Sequence, residues 1–378
     1  MNSFYLQRTS KIFSISLIVS LFLFLACMNN QSLPTSNPAA YITDKDKLDM
    51  IYSLVDLEGD KGRIYEVNYT LDYKLDEALN ANIEGTASLV KFAMEHLMDI
   101  PLPKEAGISY GAGCSAFACP DADSNDFLMG RNFDFNHRDS TGERVMIPVI
   151  AVHTAPKGGK KSVSFVDALF VSYKSGFYTD GKSDLSLLMA LPYLLLDGIN
   201  EDGFAVSVLK LDGKPTKQQD PEKKSIFTTV AMRMLLDRAS TVDQAIEMLN
   251  QYNMCMDNEE ASYHFFMADA TGDYAIIEYT KNNPLDPEEN PTKMEVLKGD
   301  NVWRYVTNFY TSPSMADSPD GSNNSKHGKD RYDTLCCSMA SSQYKLNSDG
   351  VMDLLSKVSQ GPEVQLSTGF TQWSEVFN

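Results

Sequence analysis

Residues 107–135 read GISYGAGCSAFACPDADSNDFLMGRNFDF, and the reading of this stretch decides the fold. It offers two nucleophiles, Ser109 and Cys114, inside two overlapping motifs. GISYG fits the serine elbow G-x-S-x-G, which needs a buried strand running in and a helix leaving. Upstream, IPLPKEAG holds two prolines and two charges and makes no strand. Downstream, AGCSAFACPDAD cannot sustain a helix before Pro120. GAGCSA fits a dinucleotide-binding turn, which fails because no helix N-terminus follows Gly113.

Cys114 has better company. CSAFA and FLMGRNFDF are short runs of strand type separated by CPDADSND, which is turn chemistry. Paired as a hairpin centred between Ala122 and Asp123, they put Cys114 opposite Arg131, with Asp134 in reach of the first strand's start. A nearby guanidinium favours a thiolate, and Asp134 is placed to hold an amine. A cysteine nucleophile needs a base, and no histidine lies in the cluster. Cleavage at Gly113–Cys114 would supply one: a free α-amine, with a reference pKa of about 7.7–8.0, can take the thiol proton itself.

Four motifs in order then resemble the choloylglycine hydrolase family of linear amide hydrolases, within the N-terminal nucleophile (Ntn) superfamily. They are Cys114 with Gly130-Arg131-Asn132-Phe133-Asp134, DGINEDGFAVSVL (197–209), VTNFYTS (306–312) and KDRYDTL (329–335). Relatives include bile salt hydrolases, penicillin V acylases, acid ceramidase and N-acylethanolamine acid amidase. The resemblance implies an α+β fold, a four-layer αββα sandwich of two mainly antiparallel sheets with helices outside. It implies Cys114 as nucleophile and, through its α-amine, base. Arg131 would sit by the thiolate and Asp134 would hold the amine. Asn200 and Asn308 would donate to the oxyanion, and Arg331 would orient Asp134 or the substrate. Each position also has a plain structural reading: a strand ion pair for Arg131 and Asp134, a turn residue for Asn200, a loop cap for Asn308, a solvated helix charge for Arg331.

The implied activity is cysteine-dependent hydrolysis of a linear, non-peptide amide in a small amphipathic N-acyl substrate, with no cofactor. An acyltransferase using the same thioester and a lipid-anchored binding protein that never unmasks its cysteine are the alternatives. Bile salt hydrolases expose their cysteine by losing little more than the initiator Met. Here 113 residues precede it, a layout closer to the ceramidase branch, where an N-terminal segment stays bound after self-cleavage.

The rest of the chain sets the surroundings. Arg8 and Lys11 precede an apolar run, Ile12 to Ala26, too short for a membrane span and apt for a signal peptide. FLAC ends it like a lipobox, which makes Cys27 the expected lipidation site; a plain secretory signal with a coincidental cysteine is the other reading. The chain thus divides into a signal (1–26), a polar tether (27–44), a mainly helical N-terminal segment (45–113) and a catalytic domain (114–378). The protein is expected as an exported bacterial lipoprotein, periplasmic or on the cell surface, touching membrane only through its lipid. The formal charge of -18 drops to -20 once Arg8 and Lys11 are removed, which disfavours nucleic acid and anionic headgroups. A homo-oligomer is left open. Five cysteines remain after Cys27, with no C-x-x-C and no H-x-x-x-H pair, so no metal site is expected. Cys119 reads as a structural thiol at the turn, and Cys336 and Cys337 as buried small hydrophobes. Helices are expected at 83–100, 227–239, 241–249, 331–340 and 351–359, with Thr241 and Gln244 spaced as a capping box. YHFFMAD and YAIIEYT read as a hairpin about ATGD.

Overall fold

The computed structural model describes residues 42–59, 62–98, 112–138, 143–171, 185–256, 261–319, 328–361 and 369–378. The signal, Cys27 and most of the tether lie outside these.

The hairpin forms from strands β3 (Ala112–Pro120) and β4 (Phe127–Phe135). The Asp121 carboxylate organises its turn, accepting from Asp123 N–H (3.1 Å) and Ser124 Oγ (2.8 Å). This centres the turn between Asp123 and Ser124, one residue later than the sequence predicts. Every pairing therefore shifts by two: Cys114 lies opposite Phe133, and Arg131 opposite Ala116. Opposite residues share a face in an antiparallel pair, and alternate residues do too. Cys114, Ala116, Arg131 and Phe133 thus share one face, and Gly113, Ser115, Asn132 and Asp134 the other.

Both faces are covered. β4 is flanked by β15 (Phe370–Phe377), and β3 by the short β14 (Tyr305–Val306), giving a sheet ordered β14-β3-β4-β15. The second sheet has nine strands. They are β1 (Val55–Asp56), β2 (Ile64–Tyr69), β5 (Val149–Thr154), β6 (Ser162–Asp167), β7 (Asp197–Asn200), β8 (Ala205–Asp212), β11 (Ala261–Ala268), β12 (Tyr274–Thr280) and β13 (Lys293–Lys298), adjacent in that order. Only the β2–β5 pairing in it is parallel. A separate parallel pair joins β9 (Lys224–Phe227) to β10 (Tyr252–Cys255).

Three apolar clusters separate four layers. Between the sheets, Cys114, Ala116, Met129 and Phe133 of one meet Ala205, Leu209, Phe266 and Ile276 of the other. Outside the small sheet, Phe117, Cys119 and Leu128 pack on helices α6 (Lys329–Ser341) and α7 (Ser348–Lys357). Outside the large sheet, α4 (Thr228–Arg238), α5 (Val242–Leu249) and a 3₁₀ run, Leu185–Tyr193, cover Val206, Phe265 and Ile277. The expected αββα sandwich is therefore present. Thr241 caps α5 by accepting from Gln244 N–H, as its spacing predicts.

Two elements differ from the sequence reading. The N-terminal segment forms helices α1 (Lys45–Tyr52), α2 (Leu75–Asn80) and α3 (Thr86–Ala93), but RIYEVNY also supplies β2 to the main sheet. Met50, Val67, Tyr69 and Leu89 enter the same core as α4, so this segment is part of the fold. The C-terminal β15 is a strand that the sequence reading passes over. Among the cysteines, Cys119 is buried within β3 rather than at the turn, Cys336 is half-buried and Cys337 is exposed. Cys337 projects from the outer side of α6, where nothing in the small sheet reaches it.

β7 is held where a side chain would not fit. A Cβ on Gly198 would lie 2.6 Å from Val163 O and 2.8 Å from Leu236 Cδ1. Gly198→Ala is expected to cost about 1–3 kcal/mol by overpacking, read as a lower urea midpoint with an unchanged slope.

Candidate active site

The β3–β4 pleat splits the site into two halves, one on each face. On the inter-sheet face, the Cys114 thiol lies beside the Arg131 guanidinium, both wholly buried. Burial pushes the thiol above its ordinary range; Arg131 opposes that shift and Asp134 adds to it. In the intact chain Cys114 is therefore a neutral thiol at neutral pH. Arg131 stays charged despite its burial, with the Asp197 carboxylate 2.7 Å from its Nε. It also donates from Nη2 to Val208 O (2.9 Å). β7 is only four residues long, so past Ser207 the β8 edge keeps the Val208 N–H to Leu196 O bond and leaves the Val208 carbonyl for Arg131.

On the helix face stand Asp134 and Arg331. Asp134 accepts from Gln360 Nε2 (2.5 Å) and Thr371 Oγ1 (2.6 Å), with Arg331 Nη1 3.4 Å away. Arg331, from the first turn of α6, donates to the Cys114 carbonyl at 2.6 Å and to Asn308 Oδ1 at 2.7 Å. Gly328 lets it in: its φ is +84°, and a Cβ there would meet Arg331 Nη2 at 2.6 Å.

Asn308 completes the grip. Its Oδ1 accepts the Cys114 N–H at 2.8 Å, and its Nδ2 donates to Lys210 O at 2.9 Å, a second carbonyl on the open β8 edge. In the intact chain Asn308 holds the Cys114 peptide nitrogen, while Asp134, which the resemblance assigns to the amine freed by cleavage, bonds to Gln360 and Thr371 beside Arg331. Five of the six expected residues converge: Cys114, Arg131, Asp134, Asn308 and Arg331. Asn200 does not. It closes the β7–β8 turn, its Oδ1 accepting from Asp202 and Phe204 N–H and its Nδ2 donating to Leu236 and Ala239 carbonyls. With every polar atom so engaged, it has none to offer an oxyanion.

Cys114 opens onto a cleft of about 50 Å³ lined by Phe133, Phe135, Phe170, Leu194 and Phe227, with Lys210 its cationic member. Lys210, Gln360, Thr371, Asp197 and Glu375 are site neighbours that sequence reasoning missed. Among the described residues no group of His, Cys, Asp and Glu could hold a metal ion.

Residues 114–344 match the linear amide C-N hydrolases, choloylglycine hydrolase family. The chain belongs to that family. It is 26% identical over 183 residues to a penicillin V acylase of Pectobacterium atrosepticum, a match spanning 46% of each chain. Among solved structures it is similar to a variant of the conjugated bile acid hydrolase from Clostridium perfringens (13% identity, TM-score 0.44, 70% of this chain and 85% of that one). Penicillin V acylase from Agrobacterium tumefaciens gives 16% identity, a TM-score of 0.43, and 70% and 79% coverage. The family match begins at Cys114, the residue that the grip surrounds.

A buried histidine–carboxylate contact fixes the loop that carries Asn308. His264 Nε2 lies 2.9 Å from Thr307 O and its Nδ1 3.1 Å from Glu278 Oε1. His264 thus bridges the Thr307 carbonyl and the Glu278 carboxylate. Glu278 also accepts from Thr311 N–H and Oγ1 and from Ser312 N–H. Burial works against its charge, but these donors and His264 outweigh it and hold its pKa below the ordinary 4.5. A depressed carboxylate stabilises the fold above its unfolded pKa, and that stability is lost as pH falls through the folded value. Glu278→Gln is expected to cost about 1–3 kcal/mol at pH 7 by weakening the bonds from His264, Thr311 and Ser312. Urea unfolding at a series of pH values should also show a flatter dependence below about pH 4.3 than wild type.

Proposed function

We propose that this protein hydrolyses a linear, non-peptide amide through a thioester on Cys114, after cleavage of the Gly113–Cys114 bond. The observation that carries the reading is the grip on the Cys114 peptide: Asn308 on its N–H and Arg331 on its carbonyl, with the thiol beside Arg131 at an aromatic cleft.

The cut converts an amide nitrogen, which is no base, into an amine that is one at neutral pH. The thiol gives its proton to that amine, and the sulfur attacks the substrate carbonyl. The oxyanion forms where Asn308 Nδ2 can turn from the Lys210 carbonyl to meet it. The C–N bond then breaks, the leaving amine takes the proton from the α-ammonium, and water hydrolyses the thioester to free acid and thiol. Arg331, braced by Asp134, holds the Cys114 carbonyl through both halves. The N-terminal segment stays attached after the cut, since β2 is bonded into the main sheet and Tyr73 bonds to Asp237 (2.6 Å).

The phenylalanine-lined cleft suits an apolar acyl group, and Lys210 a polar or anionic end. An amphipathic N-acyl substrate fits: bile-salt-like, N-acyl amine or penicillin V-like. Export and lipidation at Cys27 belong to the same proposal, placing the enzyme beside amphipathic compounds.

Acid-quenched mass spectrometry during turnover is expected to show one acyl adduct on the peptide that contains Cys114. A panel of conjugated bile salts, N-acylethanolamines and penicillin V, read by amine release, supplies the substrate. Cys114→Ala should abolish both adduct and release. Unchanged release by that variant would overturn the reading.

A further inference from the structure

Arg131 is the only cation in a buried cluster that holds two carboxyl groups. Its Nε lies 2.7 Å from Asp197 Oδ2 and 3.9 Å from Glu375 Oε1. Arg131 and Asp197 are fully buried and Glu375 is 8% exposed. The Nε contact lies off the N–H axis, so it is an ion pair rather than a directed hydrogen bond. No protein N–H makes a well-aligned bond to an oxygen of either carboxylate. The groups come from three elements: Arg131 from β4, Asp197 from β7, and Glu375 from β15, directly opposite Arg131 in register. Facing them are the Cys114 thiol on β3 and the Trp373 indole beside Glu375.

Two anions and one cation leave a net buried negative charge next to the thiol. Such a charge is costly unless paired, and two carboxyl groups sharing a site keep one proton between them. The two groups are within hydrogen-bonding reach of each other. The proton resides on Glu375, the carboxyl farther from Arg131, 3.9 Å against 2.7 Å for Asp197; burial and then Asp197 push it toward its neutral form.

We infer that Glu375 is a positioning residue that works as a neutral acid: it donates a hydrogen bond to Asp197, so that Asp197 carries the single negative charge that holds Arg131 against Cys114. The order is Glu375 acid, Asp197 carboxylate, Arg131 cation, Cys114 sulfur. With Glu375 neutral, the single charge of Arg131 faces one carboxylate rather than two, and its field still reaches the sulfur. If Glu375 were ionised, Arg131 would face two anions and the thiolate would be opposed. The last strand of the chain thus bears on the chemistry of Cys114 without touching substrate. The inference rests on Cys114 being the nucleophile.

The test uses purified active protein. The pH midpoint of Cys114 alkylation is measured beside kcat/KM for wild type, Glu375→Ala and Glu375→Gln. Glutamine mimics the neutral acid. Glu375→Ala is expected to lower kcat/KM at least tenfold and to raise the alkylation midpoint, as Arg131 shifts away from sulfur. Glu375→Gln is expected to recover most of that loss and return the midpoint to within about 0.3 unit of wild type. A glutamine variant that behaves like alanine overturns the inference. So does loss of activity in both variants with an unmoved midpoint, which is a merely structural role. Should the alanine variant not fold, the infrared difference between wild type and Glu375→Gln at pH 7 decides: a protonated-carboxyl stretch present only in wild type supports the neutral acid, and its absence overturns it. Wild-type turnover that survives complete Cys114 alkylation would instead sink the nucleophile assignment itself, and this inference with it.

Discussion

The site depends on one constraint: the Cys114 peptide is held from both ends. Asn308 takes its N–H and Arg331 its carbonyl, and the two holders are themselves bonded at 2.7 Å. A strand-start residue would otherwise be free to fray. Here its backbone is fixed before any substrate arrives, which is what preorganisation requires. The holders are fixed in turn. Arg331 leaves a helix start that only Gly328 permits, and Asn308 sits on a loop pinned by the His264–Glu278 pair.

The pleat explains why the two halves of the site can differ so much in character. One face of β3 and β4 meets the other sheet, and there the thiol and Arg131 lie in an apolar layer broken by Asp197 and Glu375. The opposite face meets helices, where Asp134 finds Gln360, Thr371 and Arg331. Burial raises the thiol pKa in the intact chain. On the proposed mechanism the same residue stays inert until its nitrogen becomes an amine. Cys119, buried on the helix side, is likewise pushed up by burial, to about 11, with Arg304 opposing the shift only in part.

Much of this was legible because it is local. The hairpin announced itself by two strand runs about CPDADSND, and the αββα layering followed from the family resemblance. The register slipped because an Asp121-centred turn is decided by side-chain hydrogen bonds, which strand patterning does not carry. Asn200 was misread for a similar reason: in NEDG, a side-chain amide beside a tight turn serves the turn first. The partners of Arg131 were illegible because they arrive from β7 and β15, remote in sequence. β15 hid itself as well, since a bulge between Thr371 and Trp373 breaks the alternation that would betray a strand. Glu375 occupies an inward position where the pattern leads one to expect an apolar residue.

The central claim is that one peptide bond must open for Cys114 to acquire its base. N-terminal sequencing of catalytically competent protein tests it most directly. The account predicts a chain that begins Cys-Ser-Ala-Phe, copurifying with the N-terminal segment, and a Cys114→Ala protein that stays in one piece. Full activity from a single uncut chain would contradict it.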